Sequence, residues 1–171
     1  MFAPVDLSGW TEFFFTAATA SAALIGLIVV GLSIHAEFIA QSVTHRSHAR
    51  ATLVVLTATM TIELLTLVPQ PLDALGDEVG LISLGFAAIN TYNNAKALRG
   101  AAWRLPMAAW RRMGIGYAIA ACGLLGAMSI VAWRGAGGGI YWIGLESVAA
   151  LVWAIAGAWR FLIGVVDDKR S

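Results

Sequence analysis

Five stretches of this chain run for about 20 residues almost free of charge, the length a helix needs to cross about 30 Å of hydrocarbon. Cutting the sequence at its charged residues sets them at 11–40, 51–70, 79–95, 113–133 and 141–166. The intervals between them are short, and none is long enough for a separate soluble domain. Composition agrees: 59% of the 171 residues are hydrophobic and 12% charged, with a mean hydropathy of +0.78. Residues in those proportions cannot build a water-soluble surface of ordinary polarity. The expected fold is therefore an all-α, polytopic membrane helix bundle with five transmembrane helices and a single transmembrane domain.

Charge placement gives the expected orientation. No Lys or Arg precedes Arg46; Arg46 and Arg50 follow the first span and none follows the second. Lys96, Arg99, Arg104, Arg111 and Arg112 follow the third, Arg134 alone follows the fourth, and Lys169 and Arg170 end the chain. Basic residues mark cytoplasmic loops, so the alternation predicts an outside N-terminus and an inside C-terminus. Removing the third span, interrupted by Asn90, Asn93 and Asn94, would put the basic cluster on the same side as Asp73, Asp77 and Glu78. The start lacks the positive n-region and small-residue cleavage site of a signal peptide, which predicts a retained first helix. Pro69 and Pro71 should stop the second span, and Gly135, Gly137, Gly138 and Gly139 should make a tight link before the last.

A net charge of +1 offers nucleic acid no electrostatic reason to bind. One cysteine, Cys122, excludes an intramolecular disulfide and any cysteine-rich metal centre. His45 and His48, with His35 and Glu37 nearby, are too sparse for a metal motif, though histidines there titrate near neutral pH. No phosphate-cradling glycine loop or nucleophile, base and acid arrangement stands out, so the sequence calls for no cofactor and no catalytic residue.

What remains is polarity inside the spans. Glu12, Thr16, Thr19, Ala23, Gly26, Val30, Ser33 and Glu37 recur at helical spacing along one face of the first span. Two readings fit. The face packs against another helix through its small residues, or it lines a wet path with an acid near each mouth, the two about 37 Å apart at 1.5 Å per residue. In the second span Thr59, Glu63 and Thr66 form a similar stripe. Glu63 lies within the membrane, where an acid ordinarily faces a partner or a water-filled cavity. Glu146, just inside the last span, falls with Glu12 and Glu63 toward the outer half. Ser83, Ala87, Asn90 and Asn94 read as hydrogen-bonding glue, and Gly116, Ala120, Gly123 and Ala127 as a close-packing face. Trp103, Arg104, Trp110, Arg111 and Arg112 suggest a short interfacial helix around Pro106, lying on the inner leaflet beside anionic lipid.

Trp10, Phe13 and Phe14, followed by Ala22, Ala23, Leu24, Gly26, Leu27, Val30, Leu32 and Ser33, resemble the opening of a family of small bacterial polytopic inner-membrane proteins. Its members begin with a tryptophan, paired aromatics and an alanine-rich helix of the form A-A-L-x-G-L-x-x-V-x-L-S. The resemblance covers the N-terminal third. It implies a bacterial inner-membrane setting and, for some members, a link to regulation of a membrane protease; it implies no site residues.

From the residues themselves the expected function is a homo-oligomeric cation or proton channel-like pore, its path formed by the first-span stripe with Glu63 and Glu146. A single chain of this size encloses only a narrow interior, so assembly around an axis is the simplest route to a conduit. The alternative is a membrane adaptor that packs on a protease or envelope complex through small-residue faces at Gly26 or Gly123.

Overall fold

The structure is a computed structural model that describes residues 8–34, 36, 43–100, 107–133 and 138–168. Those residues are helical almost throughout. A 3-10 turn, Ser8–Trp10, leads into α1 (Thr11–Ile34), followed by α2 (Val43–Leu67), α3 (Leu72–Gly100), α4 (Met107–Trp133) and α5 (Gly139–Asp168). Four of the five contain stretches long and apolar enough to cross a membrane: Ser8–Ile34, Ala49–Leu67, Trp110–Ala132 and Gly139–Trp159. They mark the chain as a membrane protein. The fifth helix, α3, falls short because its acids and its asparagines bracket a short apolar centre.

Helix ends differ from the edges of the apolar runs, because a helix continues through charged residues until its backbone is interrupted. α2 begins eight residues before the expected span and takes in His45 and His48, which are therefore helical and not in a loop. It ends where proline dictates: Val68 N–H closes the last turn on Leu65 O at 3.1 Å, and Pro69 to Pro71 are non-helical. The Gln70 amide then bonds both Leu65 O (3.1 Å) and Glu78 Oε2 (2.9 Å), pinning the turn. Pro71 O accepts the first bond of α3, from Leu75 N–H at 3.1 Å, so Asp73, Asp77 and Glu78 lie on the helix. An acid in that first turn also offsets the helix dipole.

Residues 107–112, expected in a separate interfacial helix, are the continuous start of α4. Trp103, Arg104, His35 and Glu37 lie outside the described residues. Gly138 sits at φ 72°, a backbone conformation that glycine tolerates, and its carbonyl caps α5 by accepting from Tyr141 and Trp142 N–H at 2.9 and 3.2 Å.

α1 packs on α2, α2 on α5, α5 on α4, and α4 along α3. A close approach joins α4 to α5: a Cβ at Gly126 would stand 3.1 Å from Gly139 O and 2.7 Å from Ile143 Cγ1. Gly116, Ala120, Gly123 and Ala127 are all buried, the close-packing face their spacing predicts. Two apolar layers fill the bundle. One joins Phe14, Ile62, Leu75 and Val79 to Ala127, Ile130, Ile140 and Ile143. The other joins Ile28, Val55, Leu56 and Phe86 to Ile119, Ala120, Ala150 and Ala154. Over the first, Trp10 meets Tyr141 edge-on at 4.8 Å and Phe13 at 5.6 Å, with Gly144 leaving room for its ring.

Candidate functional site

Between the two apolar layers every helix places a polar or bare position. α1 contributes Ser21, α2 Thr59 and Glu63, α3 Ser83, α4 Gly123, and α5 Glu146 and Ser147. In four helices these residues separate the members of the two layers: Ser21 falls between Phe14 and Ile28, Ser83 between Val79 and Phe86, Gly123 between Ala120 and Ala127, Glu146 and Ser147 between Ile143 and Ala150; in α2 Thr59 falls between Leu56 and Ile62, and Glu63 follows Ile62. Counted from the nearest helix ends, the layer lies about 6 to 16 Å deep at 1.5 Å per residue.

The two acids are its centre. Glu63 is 0% exposed and Glu146 3%. Ser21 Oγ donates to Glu63 Oε2 at 3.0 Å, tying α1 to α2. Thr59 Oγ1 donates to Glu146 Oε1 at 2.9 Å, tying α2 to α5. Each carboxyl keeps one buried oxygen with no partner, Glu63 Oε1 and Glu146 Oε2. Ser147 lies beside Glu63, yet its hydroxyl makes no bond of proper geometry, and the Ser83 hydroxyl is likewise unpartnered. Glu146 lies near both Glu63 and the half-buried Cys122.

The hydrogen-bond partners of both acids are thus hydroxyls. An ionised carboxylate in such surroundings carries a heavy desolvation cost unless a positive charge joins it. These hydroxyl partners bring no positive charge, so neutralising the pair takes a proton or a cation.

The fold unites Thr59, Glu63 and Glu146 as one cluster and separates the rest. Thr66, one turn beyond Glu63, bonds back to Ile62 O at 2.8 Å. The α1 stripe faces the opposite way: Glu12, Thr16, Thr19, Ala23, Gly26, Val30 and Ser33 are all exposed on the outside of the bundle. A single path joining that stripe to Glu63 is therefore not built within the protomer. The cause is helix geometry, since the side of α1 that packs inward is the one carrying Phe14, Ala17, Ala18, Ser21 and Ile28. The expected outer cluster of three acids reduces to two, with Glu12 exposed in the first turn of α1. The bonding expected of the α3 stripe is also missing: Ser83 Oγ and the amide nitrogens of Asn90 and Asn94 are buried without partners, and Asn90 rests against Gly116. Gly123 faces the interior and offers no surface to a partner.

Ser21 and Ser147 escaped the sequence reading, and Ser83 entered it only as glue between helices. Ser21 was detectable as the polar member of the series Phe14, Ala17, Ser21, Ile28; Ser147 had only its position beside Glu146.

The chain matches no family model, no curated protein and no solved structure. Among the described residues no group of three His, Cys, Asp or Glu is placed to hold a metal ion. The cleft between α2 and α3, about 400 Å³ and lined by Leu53, Val54, Thr57, Ile82 and Phe86 among others, shares no residue with the polar layer; its Phe86 belongs to the second apolar layer.

Proposed function

We propose that this chain is an ion-handling protein of the bacterial inner membrane, which passes or exchanges small cations, protons included, at the Glu63 and Glu146 pair. The observation that carries the reading is the pair itself: two fully enclosed carboxyls, partnered only by hydroxyls, each with an unused oxygen. Intramembrane acids are costly and mark ion pathways and proton relays. Apolar layers on either side make the pair an occluded station that a conformational change opens to one face or the other.

The topology we propose has five crossings, N-terminus outside and C-terminus inside. Support comes from the alternation of Lys and Arg along the chain and from α3, which packs along α4 and contributes Ser83 to the polar layer. The outward α1 stripe then becomes the contact between copies in a homo-oligomer, with each protomer carrying its own path. Trp110 and Arg111, exposed at the start of α4, meet anionic headgroups of the inner leaflet.

Proteoliposomes loaded with pH- or sodium-sensitive dye test this. The full chain should support flux of at least one of the two ions. Glu63→Gln with Glu146→Gln should abolish it, and Glu12→Gln should not. Wild-type vesicles that pass neither ion, or a double variant that conducts like wild type, would sink the proposal.

One observation favours a second reading, the adaptor. A Cβ at Gly26 would meet nothing within 4 Å, so a foreign helix can approach α1 closely there. In that case Gly26→Leu strips a membrane-protease or envelope partner while Glu63→Gln leaves it bound.

A further inference from the structure

The oxygens left unpartnered around the acid pair share one chemistry. Glu63 Oε1, Glu146 Oε2, Ser83 Oγ and Ser147 Oγ all lack hydrogen bonds, and their residues are 0%, 3%, 2% and 0% exposed. They also converge. Ser147 lies beside Glu63. Ser83 Oγ occupies the space where a side chain at position 123 would begin, and that point is 3.8 Å from Glu146 Cγ. α3 thus sets its free hydroxyl on the bare surface of Gly123 next to the Glu146 side chain, and α5 sets that of Ser147 beside Glu63.

Native proteins rarely leave so many buried polar atoms unsatisfied in one place, and such a group calls for an ion or a water. The donor set narrows the choice. Carboxyl and hydroxyl oxygens suit hard cations, whereas transition metals favour imidazole or thiolate ligands. Calcium takes about 6 to 8 oxygens, and magnesium keeps several of its waters; four protein oxygens between two apolar layers suit neither. Charge balance is met as well: one carboxylate, one neutral carboxylic acid and one monovalent ion sum to zero, the state that low-dielectric surroundings favour.

We infer that the polar layer binds one small, dehydrated monovalent cation of sodium or lithium size, held by Glu63, Glu146, Ser83 and Ser147 beside the bare surface of Gly123. The inference rests on the ion-handling reading above and names its ligand.

The test uses the full chain, purified in detergent in choline chloride, with unfolding followed by its tryptophan fluorescence. Ligands that bind only the folded state raise the midpoint in a saturable way. Sodium or lithium chloride should do so, and choline chloride at equal ionic strength should not. Ser83→Ala and Ser147→Ala, which barely alter volume, each remove one coordinating oxygen and should each weaken the apparent affinity by about tenfold, or about 1.4 kcal/mol. Gly123→Ala, which forces Ser83 aside, should weaken it as much. Sodium-23 line broadening should report the same affinities. If Glu63→Gln or Glu146→Gln does not fold, the serine variants still decide. An equal shift with choline, saturation by calcium alone, or serine variants that respond like wild type would overturn the cation site. Proton flux in vesicles that persists without any sodium or lithium response overturns this inference and leaves the ion-handling reading intact. Absence of both removes the two together.

Discussion

α1 carries hydroxyls on both of its sides, and the bundle treats the two sides in opposite ways. On the outside, Thr19 and Ser33 turn back onto their own helix, donating to Phe15 O and Val29 O at 2.8 Å each. On the inside, Ser21 donates across to Glu63 on α2. The same contrast holds elsewhere: outward Thr61 and Thr91 bond to Thr57 O and Ala87 O at 2.7 and 2.8 Å, while inward Thr59 reaches Glu146 on α5. A hydroxyl can satisfy itself on the carbonyl four residues back, so its presence on a membrane helix says little about which face is interior. A carboxyl has no such recourse in hydrocarbon and has to find donors on other helices. Hydroxyl stripes are thus ambiguous, and mid-span acids are not.

The widest separation between the two kinds of face should come from glycine. Gly126→Leu drives a side chain into Gly139 O and Ile143, and we expect a loss of about 3 kcal/mol or more, as overpacking costs. Gly26→Leu meets open space and should change folding stability by less than about 0.5 kcal/mol. Its effect should instead be on oligomer size, read by light scattering of the detergent-solubilised protein. Equal losses of stability at the two glycines would break the inside and outside assignment of α1 and α4.

The next largest contrast pairs Ser21→Ala with Ser33→Ala. The first removes a cross-helix donor from a buried acid and should cost about 1 to 2 kcal/mol; the second should cost about 0.5 kcal/mol or less. Reversible unfolding in mixed micelles measures both, and a Ser33→Ala loss as large as that of Ser21→Ala would dissolve the distinction. A double-mutant cycle on Thr59→Ala and Glu146→Gln sharpens it, with an expected coupling of about 0.6 to 1.7 kcal/mol, the range of interhelical hydrogen bonds within membranes. The smallest change belongs to Thr19→Val, which keeps shape and loses only a self-satisfied hydroxyl. Its stability should stay within about 0.5 kcal/mol of wild type.

Much of the architecture was legible. The apolar runs located all five helices, and Pro69 and Pro71 marked the end of α2, because a missing N–H and a forbidden backbone region act locally. Glu63 and Glu146 stood out as soon as they fell within apolar runs. Boundaries were less legible: helix α3 extends over Asp73, Asp77 and Glu78, whose exposed or half-exposed positions cost nothing at a helix start. The inward face of α1 was not legible, since small and hydroxylated residues occur on both of its sides.

Composition and periodicity by themselves determined that the chain is helical and apolar enough for a membrane, because the length of an uncharged run and the backbone's demand for hydrogen bonds are properties of single segments. Only tertiary structure decided which acids meet. Residues 63 and 146 are far apart in sequence, and their encounter depends on how α2 and α5 rotate and slide against each other. That choice is made by steric detail such as the bare surfaces of Gly126 and Gly139 and the ring of Trp10 over Gly144, features of packing between segments that no single segment encodes.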